Sequence, residues 1–334
     1  MAINVLLTGG TGYIGSHTAV VLLEHGYKVF LFDDLSNSSI EVKDNIEKIT
    51  SKKVQFIQGD VRNTELLQQI LGDFNISAVI HFAGLKAVGE SVEKPIEYFD
   101  NNITGSISLL KAMKLSRVNK FVFSSSATVY GEPKYLPYDE NHPTSATNPY
   151  GRSKLYIEEI LKDLCVSNKE FSAICLRYFN PVGAHESGLI GEFPRGMPNN
   201  LMPYIAQVAS SKLDKLRIFG GDYNTPDGTG VRDYIHVVDL AEGHVSAIDF
   251  IENNIGWNAI NLGRGKGISV LEILNAFEKT NSVKVPYAIS ERRNGDIDES
   301  YASVQMAEKL LNWRAKKGID EMCKSVWNFQ KGLD

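Results

Sequence analysis

A glycine-rich segment near the start of the chain constrains the fold more than any other feature of the sequence. Residues 8–15 read Thr-Gly-Gly-Thr-Gly-Tyr-Ile-Gly and lie between an apolar run typical of a strand and an amphipathic run typical of a helix. Glycines at this spacing allow a tight turn and close approach of the backbone to a ligand, and a helix N-terminus favours an anion. The segment therefore predicts a strand–turn–helix unit that binds the pyrophosphate of a dinucleotide, with a ligand-free tight turn as the alternative.

Short apolar runs alternate with longer amphipathic stretches over residues 1–180, the predicted first domain. The runs are continuous, as expected of strands buried on both faces of a parallel sheet; they are residues 4–8, 29–33, 54–57, 78–82, 121–125 and 173–179. Helices are predicted between them, one from Ile14 to a stop near Gly26 and one from Pro149, with Asn148 as N-cap. This repetition predicts an α/β fold with a Rossmann-type doubly wound parallel sheet.

Residues 181–334 are predicted to form a smaller mixed α/β C-terminal domain that binds the substrate. Long loops rich in Gly, Pro and Asn begin this part of the chain, and long loops in compact domains are often functional. Strands are predicted at 234–240 and 259–262, and a helix at 269–277. The later strands, at about 233–262, are expected to return to the sheet of the first domain.

Composition limits the cellular setting and the partners. The net charge of −5 argues against a general nucleic-acid or anionic-membrane surface. Cys165, Cys175 and Cys323 are scattered without Cys-x-x-Cys spacing, which indicates a reducing compartment and no structural metal. The sequence shows no signal-peptide pattern and no apolar run that approaches a membrane span. We therefore expect a cytoplasmic protein with no nucleic-acid or membrane partner.

Carboxylates after the second and third predicted strands bear on the cofactor. Asp33 ends the second strand, where a carboxylate binds both ribose hydroxyls of the adenosine and repels a 2′-phosphate, so the sequence favours NAD over NADP. Asp60 follows the third strand and either contacts the adenine amino group or caps a helix. Small residues after His81 suit a backbone that passes close to a cofactor; His81 itself is predicted to be a packed strand residue.

Tyr150 and Lys154 are spaced to lie on the same face of one helix, downstream of a serine run that ends at Ser126. A phenol has a pKa of about 10, and an ammonium at ~4 Å favours the phenolate by roughly 4 kcal/mol at an effective dielectric near 20. A serine hydroxyl could hold a substrate oxygen while the tyrosine moves its proton. The three residues predict oxidation of a carbinol beside a nicotinamide.

Six segments together resemble one family, the UDP-glucose 4-epimerases of the extended short-chain dehydrogenase/reductase superfamily. They are spread over nearly the whole chain: GTGYIGSH at 10–17, HFAGLKAVGES at 81–91, SSSATVYG at 124–131, RYFNPVGA at 177–184, PNNLMPY at 198–204 and GVRDYIHV at 230–237. The resemblance implies 4-epimerisation of UDP-hexoses by transient oxidation at C4, rotation of the 4-ketose within the pocket and return of the same hydride. It implies a tightly bound NAD regenerated at each turnover, a UDP-sugar substrate and a homodimer.

The resemblance also assigns site residues. Tyr150 corresponds to the base, Lys154 to the lysine that contacts the nicotinamide ribose and lowers the pKa of the tyrosine, and Ser126 to the serine that hydrogen-bonds O4. The implied cofactor-binding residues are Gly9, Gly12, Tyr13, Ile14, Gly15, Asp33, Asn37, Asp60, Val61, Phe82, Ala83, Lys86, Asn101, Ser126, Tyr150, Lys154 and Tyr178. The implied substrate-binding residues are Lys86, Ser126, Tyr150, Asn180, Asn200, Leu201, Phe219, Arg232, Tyr234, Arg293, Asp296 and Ser300. Arg232 and Arg293 suit the diphosphate because guanidinium groups pair bidentately with phosphate oxygens.

Ser300 bears on substrate range. In members of the family restricted to unacetylated sugars a tyrosine holds this position, whereas members that also accept N-acetyl sugars have a small residue followed by a tyrosine, as Tyr301 follows here. A phenol ring would fill the space that a 2-acetamido group needs. We therefore predict activity on UDP-GlcNAc and UDP-GalNAc as well. The alternatives are that Ser300 is an exposed loop residue, or that Tyr301 takes its place through a one-residue slip.

Other functions stay open at this level. The dehydratases of this fold place an acidic pair after the active-site hydroxyl residue, where this chain has Ala127 and Thr128. A uronate epimerase would need an added positive charge near C6, and a non-catalytic NAD-binding protein would be expected to lose Tyr150, Lys154 or Ser126. A simple dehydrogenase remains a further alternative. Dimer helices are expected near 95–115 and 149–167, with Ile103, Ile107 and Leu110 either at the interface or in the core.

Overall fold

The computed structural model describes residues 3–293 and 295–333. Its strands in chain order are β1 (Asn4–Thr8), β2 (Lys28–Asp33), β3 (Gln55–Gln58), β4 (Ala78–His81), β5 (Lys120–Ser126), β6 (Ser172–Tyr178), β7 (Asn180–Val182), β8 (Leu216–Phe219), β9 (Val231–His236), β10 (Gly256–Leu262), β11 (Gly267–Ser269), β12 (Tyr287–Ser290) and β13 (Glu299–Ser300). Its helices are α1 (Tyr13–Glu24), α2 (Glu41–Thr50), α3 (Thr64–Asp73), α4 (Val88–Glu93), α5 (Pro95–Phe99), α6 (Gly105–Leu115), α7 (Pro149–Ser167), α8 (Leu201–Ala209), α9 (Val237–Asn253), α10 (Val270–Asn281), α11 (Gln305–Leu311) and α12 (Ile319–Lys331).

The main sheet is parallel throughout, with strand order β10-β6-β5-β4-β1-β2-β3. One face packs on α1 and α9 and the other on α3, α6 and α7. Because helices cover both faces, the strands are apolar on both sides, which is why continuous apolar runs predict them. The Rossmann-type doubly wound fold is confirmed, and the strand order reverses direction between β1 and β4, where such sheets bind ligands.

A smaller C-terminal part carries two further sheets. One has the order β11-β9-β13, with β7 also paired to β9, and the other pairs β12 with β8. Apolar side chains of α8, α10 and α12 form the core beneath them. Among the described residues, no helix has the length and apolar character needed to cross a membrane.

The later strands divide between the two parts. β10 pairs in parallel with β6 and so lies at the edge of the main sheet, whereas β9 lies in the smaller sheet. The strand predicted at 234–240 is wrong in its second half: the chain enters α9 at Val237, where the His236 side chain accepts a hydrogen bond from the Val238 amide. α9 is buried along most of its length. Because a short buried helix segment and a buried strand both appear in the sequence as a continuous apolar run, the sequence pattern does not distinguish them. The division at residue 180 stays a prediction.

Candidate active site

The glycine turn between β1 and α1 is built so that no side chain fills it. Gly9 has φ +69°, and a Cβ there would lie 2.7 Å from the Ala83 amide nitrogen after β4. A Cβ on Gly15 would lie 2.3 Å from the Gly9 carbonyl oxygen, so the helix and turn touch through backbone alone. Gly12 is the N-cap of α1 without a side-chain cap, and the first turn of the helix carries no acidic residue. These open amide groups fit an anionic pyrophosphate.

Asp33 ends β2 beside this turn. Its carboxylate accepts hydrogen bonds from the Thr11 amide at 3.1 Å, the Leu35 amide at 3.0 Å and the Ser38 hydroxyl at 3.0 Å. The same loop carries Asn37, which is exposed. The geometry thus places the predicted ribose carboxylate next to the predicted pyrophosphate turn, as a dinucleotide requires.

Asp60 does not cap α3. Asn63 is the N-cap, accepting a hydrogen bond from the Leu66 amide. Asp60 instead pairs with Arg62, whose guanidinium lies 2.6 Å from the carboxylate, and this hydrogen bonding is the main cause that lowers the pKa of Asp60. The capping alternative is therefore wrong, and the carboxylate lies in the connection between β3 and α3, next to buried Val61.

The predicted catalytic residues come together at the carboxyl end of β5. α7 begins at Pro149 with Asn148 as N-cap, as predicted, and this cap accepts a hydrogen bond from the Gly151 amide at 2.8 Å. The Tyr150 phenol interacts with the side chain of Ser126, the last residue of β5, and this interaction lowers the pKa of the phenol. One turn further along α7, the buried Lys154 donates from Nζ to the Ser124 carbonyl at 2.6 Å. The helix and the strand thus fix all three groups.

Burial is the largest influence on the pKa values of both Tyr150 and Lys154. Burial raises the pKa of Tyr150, and the interaction with Ser126 and the charge of Lys86 lower it by less. Burial also lowers the pKa of Lys154 to about 8. Nζ of Lys154 is turned to the Ser124 carbonyl and lies 5.9 Å from the centre of the phenol ring, and its predicted effect on the pKa of Tyr150 stays a prediction. Lys86 supplies a stabilising charge.

Glu192 joins two predicted substrate residues and was missed from the sequence. Its Oε1 accepts from Lys86 Nζ at 2.8 Å and from Asn200 Nδ2 at 2.6 Å. Burial opposes the charge on Lys86, but the interactions with Glu192 raise its pKa overall. Glu192 lies in a long irregular loop where neither periodicity nor spacing distinguishes one carboxylate from another. Only the tertiary structure brings it to Lys86.

The residues predicted to hold the diphosphate and uracil also converge. Arg293 Nε lies 3.0 Å from Asp296 Oδ2, and Arg232 Nη2 lies 3.6 Å from Asp296 Oδ1. The Arg293 guanidinium lies 4.9 Å from the centre of the Phe219 ring. Tyr234, two residues after Arg232 on β9, is buried, and burial raises its pKa to about 12. This cluster forms a cationic site on the C-terminal part of the chain.

Ser300 lies on the same side as Arg232. β13 pairs in parallel with β9, and Ser300 is the register partner of Arg232, so both side chains share one face. Ser300 is only 8% exposed, which rules out the exposed-loop alternative. Tyr301 points to the opposite face, where its ring lies 3.4 Å from the Cβ position of Gly267. The strand register therefore separates Ser300 from Tyr301 and places Ser300 beside Arg232.

The remaining predicted residues are distributed over several elements of both parts of the chain. Phe82 and Ala83 follow β4, and the buried Tyr178 ends β6 and bonds His244. His81 is packed, as predicted: its ring nitrogens bond Thr8 Oγ1 at 2.6 Å and Ser106 Oγ at 2.9 Å. The others are placed by the elements that carry them: Tyr13 and Ile14 open α1, Asn101 follows α5, Asn180 opens β7 and Leu201 opens α8.

Comparison with known proteins identifies the family. The sequence model of a family described as GDP-mannose 4,6 dehydratase matches residues 6–326. A UDP-glucose 4-epimerase from Erwinia amylovora is 55% identical over 328 residues, which cover 98% of this chain and 97% of the relative. The chain belongs to that broad family and, within it, to the UDP-glucose 4-epimerases. The epimerase family predicted from the six sequence segments is confirmed.

Solved structures of epimerases share the whole architecture. The UDP-glucose 4-epimerase of Stenotrophomonas maltophila, crystallised with NAD and formylated UDP-arabinopyranose, is 49% identical with a TM-score of 0.98, covering 99% of this chain and 98% of that one. The enzyme of Bifidobacterium longum, in complex with NAD+ and UDP, is 54% identical with a TM-score of 0.96 and covers 98% of each chain. The epimerase fold therefore extends over essentially the full chain.

In the described turn after Ser126, a threonine stands where a dehydratase of this fold would have an acid. After Ser126 the chain makes one turn through Ala127–Val129, and Thr128 donates from its hydroxyl to Ser126 Oγ at 3.0 Å. The epimerase thus has a neutral hydrogen-bond donor where elimination of water would require a carboxylic acid. This geometry agrees with the relatives' epimerase names rather than with the dehydratase name of the broader family.

Proposed function

We propose that this chain interconverts UDP-glucose and UDP-galactose by NAD-dependent epimerisation at C4 of the hexose. The observation that carries the proposal is the convergence of Tyr150, Ser126 and Lys154 at the sheet edge that also presents the glycine turn. The uncapped N-terminus of α1 and the Asp33 carboxylate would hold NAD. NAD, when bound, takes up and returns the hydrogen of C4, and the protein does the remaining work.

Tyr150 moves the proton of the C4 hydroxyl, because its phenol interacts with Ser126, the residue that would hold the C4 oxygen. Ser126 holds the C4 oxygen, and its own orientation is fixed by the Thr128 amide at 3.2 Å. The positive charge of Lys86 stabilises the deprotonated, phenolate form of Tyr150. Lys154, held by the Ser124 carbonyl, positions the base and reaches the cofactor side of the site.

Arg232 and Arg293 bind the diphosphate of the nucleotide, and Phe219 packs near the uracil. The 4-ketose must present each of its two faces in turn to the same cofactor, so the sugar has to rotate within the pocket. The hexose therefore has to be held less firmly than the nucleotide. The cationic cluster on β9 and the segment before β13 meets this requirement because it supplies charge for the diphosphate rather than for the sugar.

The test is turnover of UDP-galactose by the purified protein with no NAD added, followed as formation of UDP-glucose. Tyr150→Phe should lower kcat about 10²- to 10⁴-fold, because it removes the proton-transfer group. Tyr287→Phe is the matched control, since that ring is 50% exposed on β12, away from the catalytic helix. A requirement for stoichiometric NAD would instead assign the chain to the dehydrogenases.

The range of substrates includes the N-acetyl sugars. Ser300 supports this assignment because its small side chain lies buried on the Arg232 face. A tyrosine there would fill the space beside the sugar, and overpacking costs about 1–3 kcal/mol. Ser300→Tyr should remove most UDP-GalNAc turnover and spare UDP-galactose, whereas Ser300→Ala, which keeps the space, should retain both. No turnover of UDP-GlcNAc by the unmodified protein, or equal loss of both activities in Ser300→Tyr, would contradict it.

The chain acts as a homodimer in the cytoplasm. α4, α5 and α7 expose Val92 at 63%, Ile96 at 78% and Tyr156 at 48%, an apolar surface that a second copy would cover. Leu110, considered for the interface from the sequence, packs in the core with only 8% exposure. The free, buried cysteines suit a reducing compartment. Ile96→Glu should shift the mass measured by light scattering towards the monomer, and an unchanged mass would place the interface elsewhere.

A further inference from the structure

Tyr223 holds a buried hydroxyl without a partner in the nucleotide-binding part of the chain. The side chain is 4% exposed, and its hydroxyl has no hydrogen-bond partner among the described residues. Buried hydroxyl groups are nearly always paired, because leaving one unpaired costs about 1–3 kcal/mol. A single unpaired phenol in a binding region therefore indicates that its partner arrives with a ligand.

The ring of Tyr223 is held from two sides. A Cβ on Gly220 would lie 2.2 Å from Cε2 of the ring, so only glycine leaves room for it. On the other side the Arg292 guanidinium lies 4.1 Å from the ring centre, and Asp222 fixes that arginine through an ion pair of 2.8 Å. The ring cannot turn freely, so the direction of the hydroxyl is set before any ligand binds.

The arginine that stacks on Tyr223 is linked to the predicted diphosphate residues through Asp298: Arg292 Nη1 lies 3.6 Å from Asp298 Oδ1, and the Asp298 carbonyl accepts from Arg232 Nη1 at 3.4 Å. Burial and the Asp296 carboxylate raise the pKa of Tyr223, while Arg232, Arg292 and Arg293 act in the opposite direction. The net rise keeps the phenol protonated at neutral pH. The group is therefore a hydrogen-bond donor close to two arginines assigned to the diphosphate.

We propose that Tyr223 is a further substrate-binding residue, whose hydroxyl donates a hydrogen bond to the diphosphate of the UDP-sugar. This inference rests on the proposed function, because it requires the nucleotide to bind between Phe219 and Arg232. A neutral donor adds a contact of fixed direction to the charges of the arginines, which attract from any direction. It contributes to holding the nucleotide while the hexose turns.

The experiment compares Tyr223→Phe with the unmodified enzyme, which differ by one oxygen atom. Dissociation constants for UDP are measured by calorimetry, and inhibition constants are measured for UDP and for uridine. We expect the UDP constants to rise about tenfold, as for loss of a hydrogen bond to a charged group, with the uridine constant unchanged. Tyr287→Phe is the control, since that tyrosine is 50% exposed on β12 of the same region.

Thermal unfolding of the ligand-free proteins separates a binding role from a structural one. Because the hydroxyl has no partner in the free protein, Tyr223→Phe should leave its Tm unchanged or higher, and only the stabilisation by UDP should shrink. A lower Tm without ligand, unchanged UDP affinity, or an equal loss for uridine would overturn the inference. If the unmodified protein bound no UDP, the proposed function would fail as well, whereas normal UDP binding by both proteins would defeat only the role of Tyr223.

Discussion

Replacing Glu158 by leucine should destabilise the enzyme more than any surface change, because it leaves a buried arginine unpaired. Glu158 lies two turns after Tyr150 on α7, and its carboxylate accepts from Arg177 Nη2 at 2.6 Å and Nε at 3.1 Å. The two side chains are 1% and 4% exposed. Removing one partner of such a pair costs about 3–5 kcal/mol, a large part of the roughly 5–15 kcal/mol that stabilises a typical domain.

Urea unfolding of the NAD-containing protein provides the measurement, with the slope checked for constancy so that the midpoint reports stability. The double variant Glu158→Leu with Arg177→Met removes both charges, and it should recover most of the loss since neither buried charge remains. Its kcat should stay low, because Glu158 also accepts from Ser125, the neighbour of both Ser124 and Ser126. A cost below 1 kcal/mol for Glu158→Leu, or a double variant as unstable as the sum of the singles, would refute the reasoning.

Three other changes follow from the described geometry. Gly9→Ala should lower retention of NAD, measured by absorbance after dialysis, because φ is +69° and the new Cβ would lie 2.7 Å from the Ala83 amide nitrogen. His17 and His81 have pKa values lowered by burial to about 3, so the unfolded state binds more protons than the folded state between about pH 3 and 6.5. The urea midpoint should therefore fall as the pH drops through that window. His81→Gln should make the urea midpoint depend less steeply on pH. Asn148→Ala removes the cap of α7 and should cost about 1 kcal/mol in the same assay, with no loss meaning that the cap is redundant.

The sequence predicts the first part of the fold well because its signals are local. The glycine turn, the continuous apolar strands and the Asn148 cap depend on residues that are neighbours in the chain, and each is present where expected. The boundary between β9 and α9 is missed because a buried run has no period that separates strand from helix. β8 and β12 pair across a long stretch of chain, so no local pattern marks their register.

The site shows a similar division. Residue types at fixed spacing indicate Tyr150, Lys154 and Ser126, but not which way a side chain turns, and Lys154 turns to a backbone carbonyl. Glu192 and Tyr223 carry no sequence signal, because the reason for interest in each is a tertiary neighbour or the lack of one. Ser300 is intermediate: the resemblance selects the position, and only the pairing with Arg232 tells which face it occupies.

The strand under α7 changes character along its length in a way that fixes the catalytic geometry. On the face of β5 towards α7, Phe121 and Phe123 belong to the apolar core, and two residues later the same face presents Ser125. β6 repeats the change, with Ala173 and Cys175 in that core and then Arg177.

The helix matches this change. Ile157, Leu161 and Cys165 pack on the apolar part, whereas Glu158, Lys154 and Tyr150 meet the polar end. A slip of α7 by one turn would bury a charge against phenylalanine and leave Arg177 unpaired, at a cost of several kcal/mol. The buried ion pair therefore defines one register of helix against strand, and in that register the phenol of Tyr150 meets Ser126.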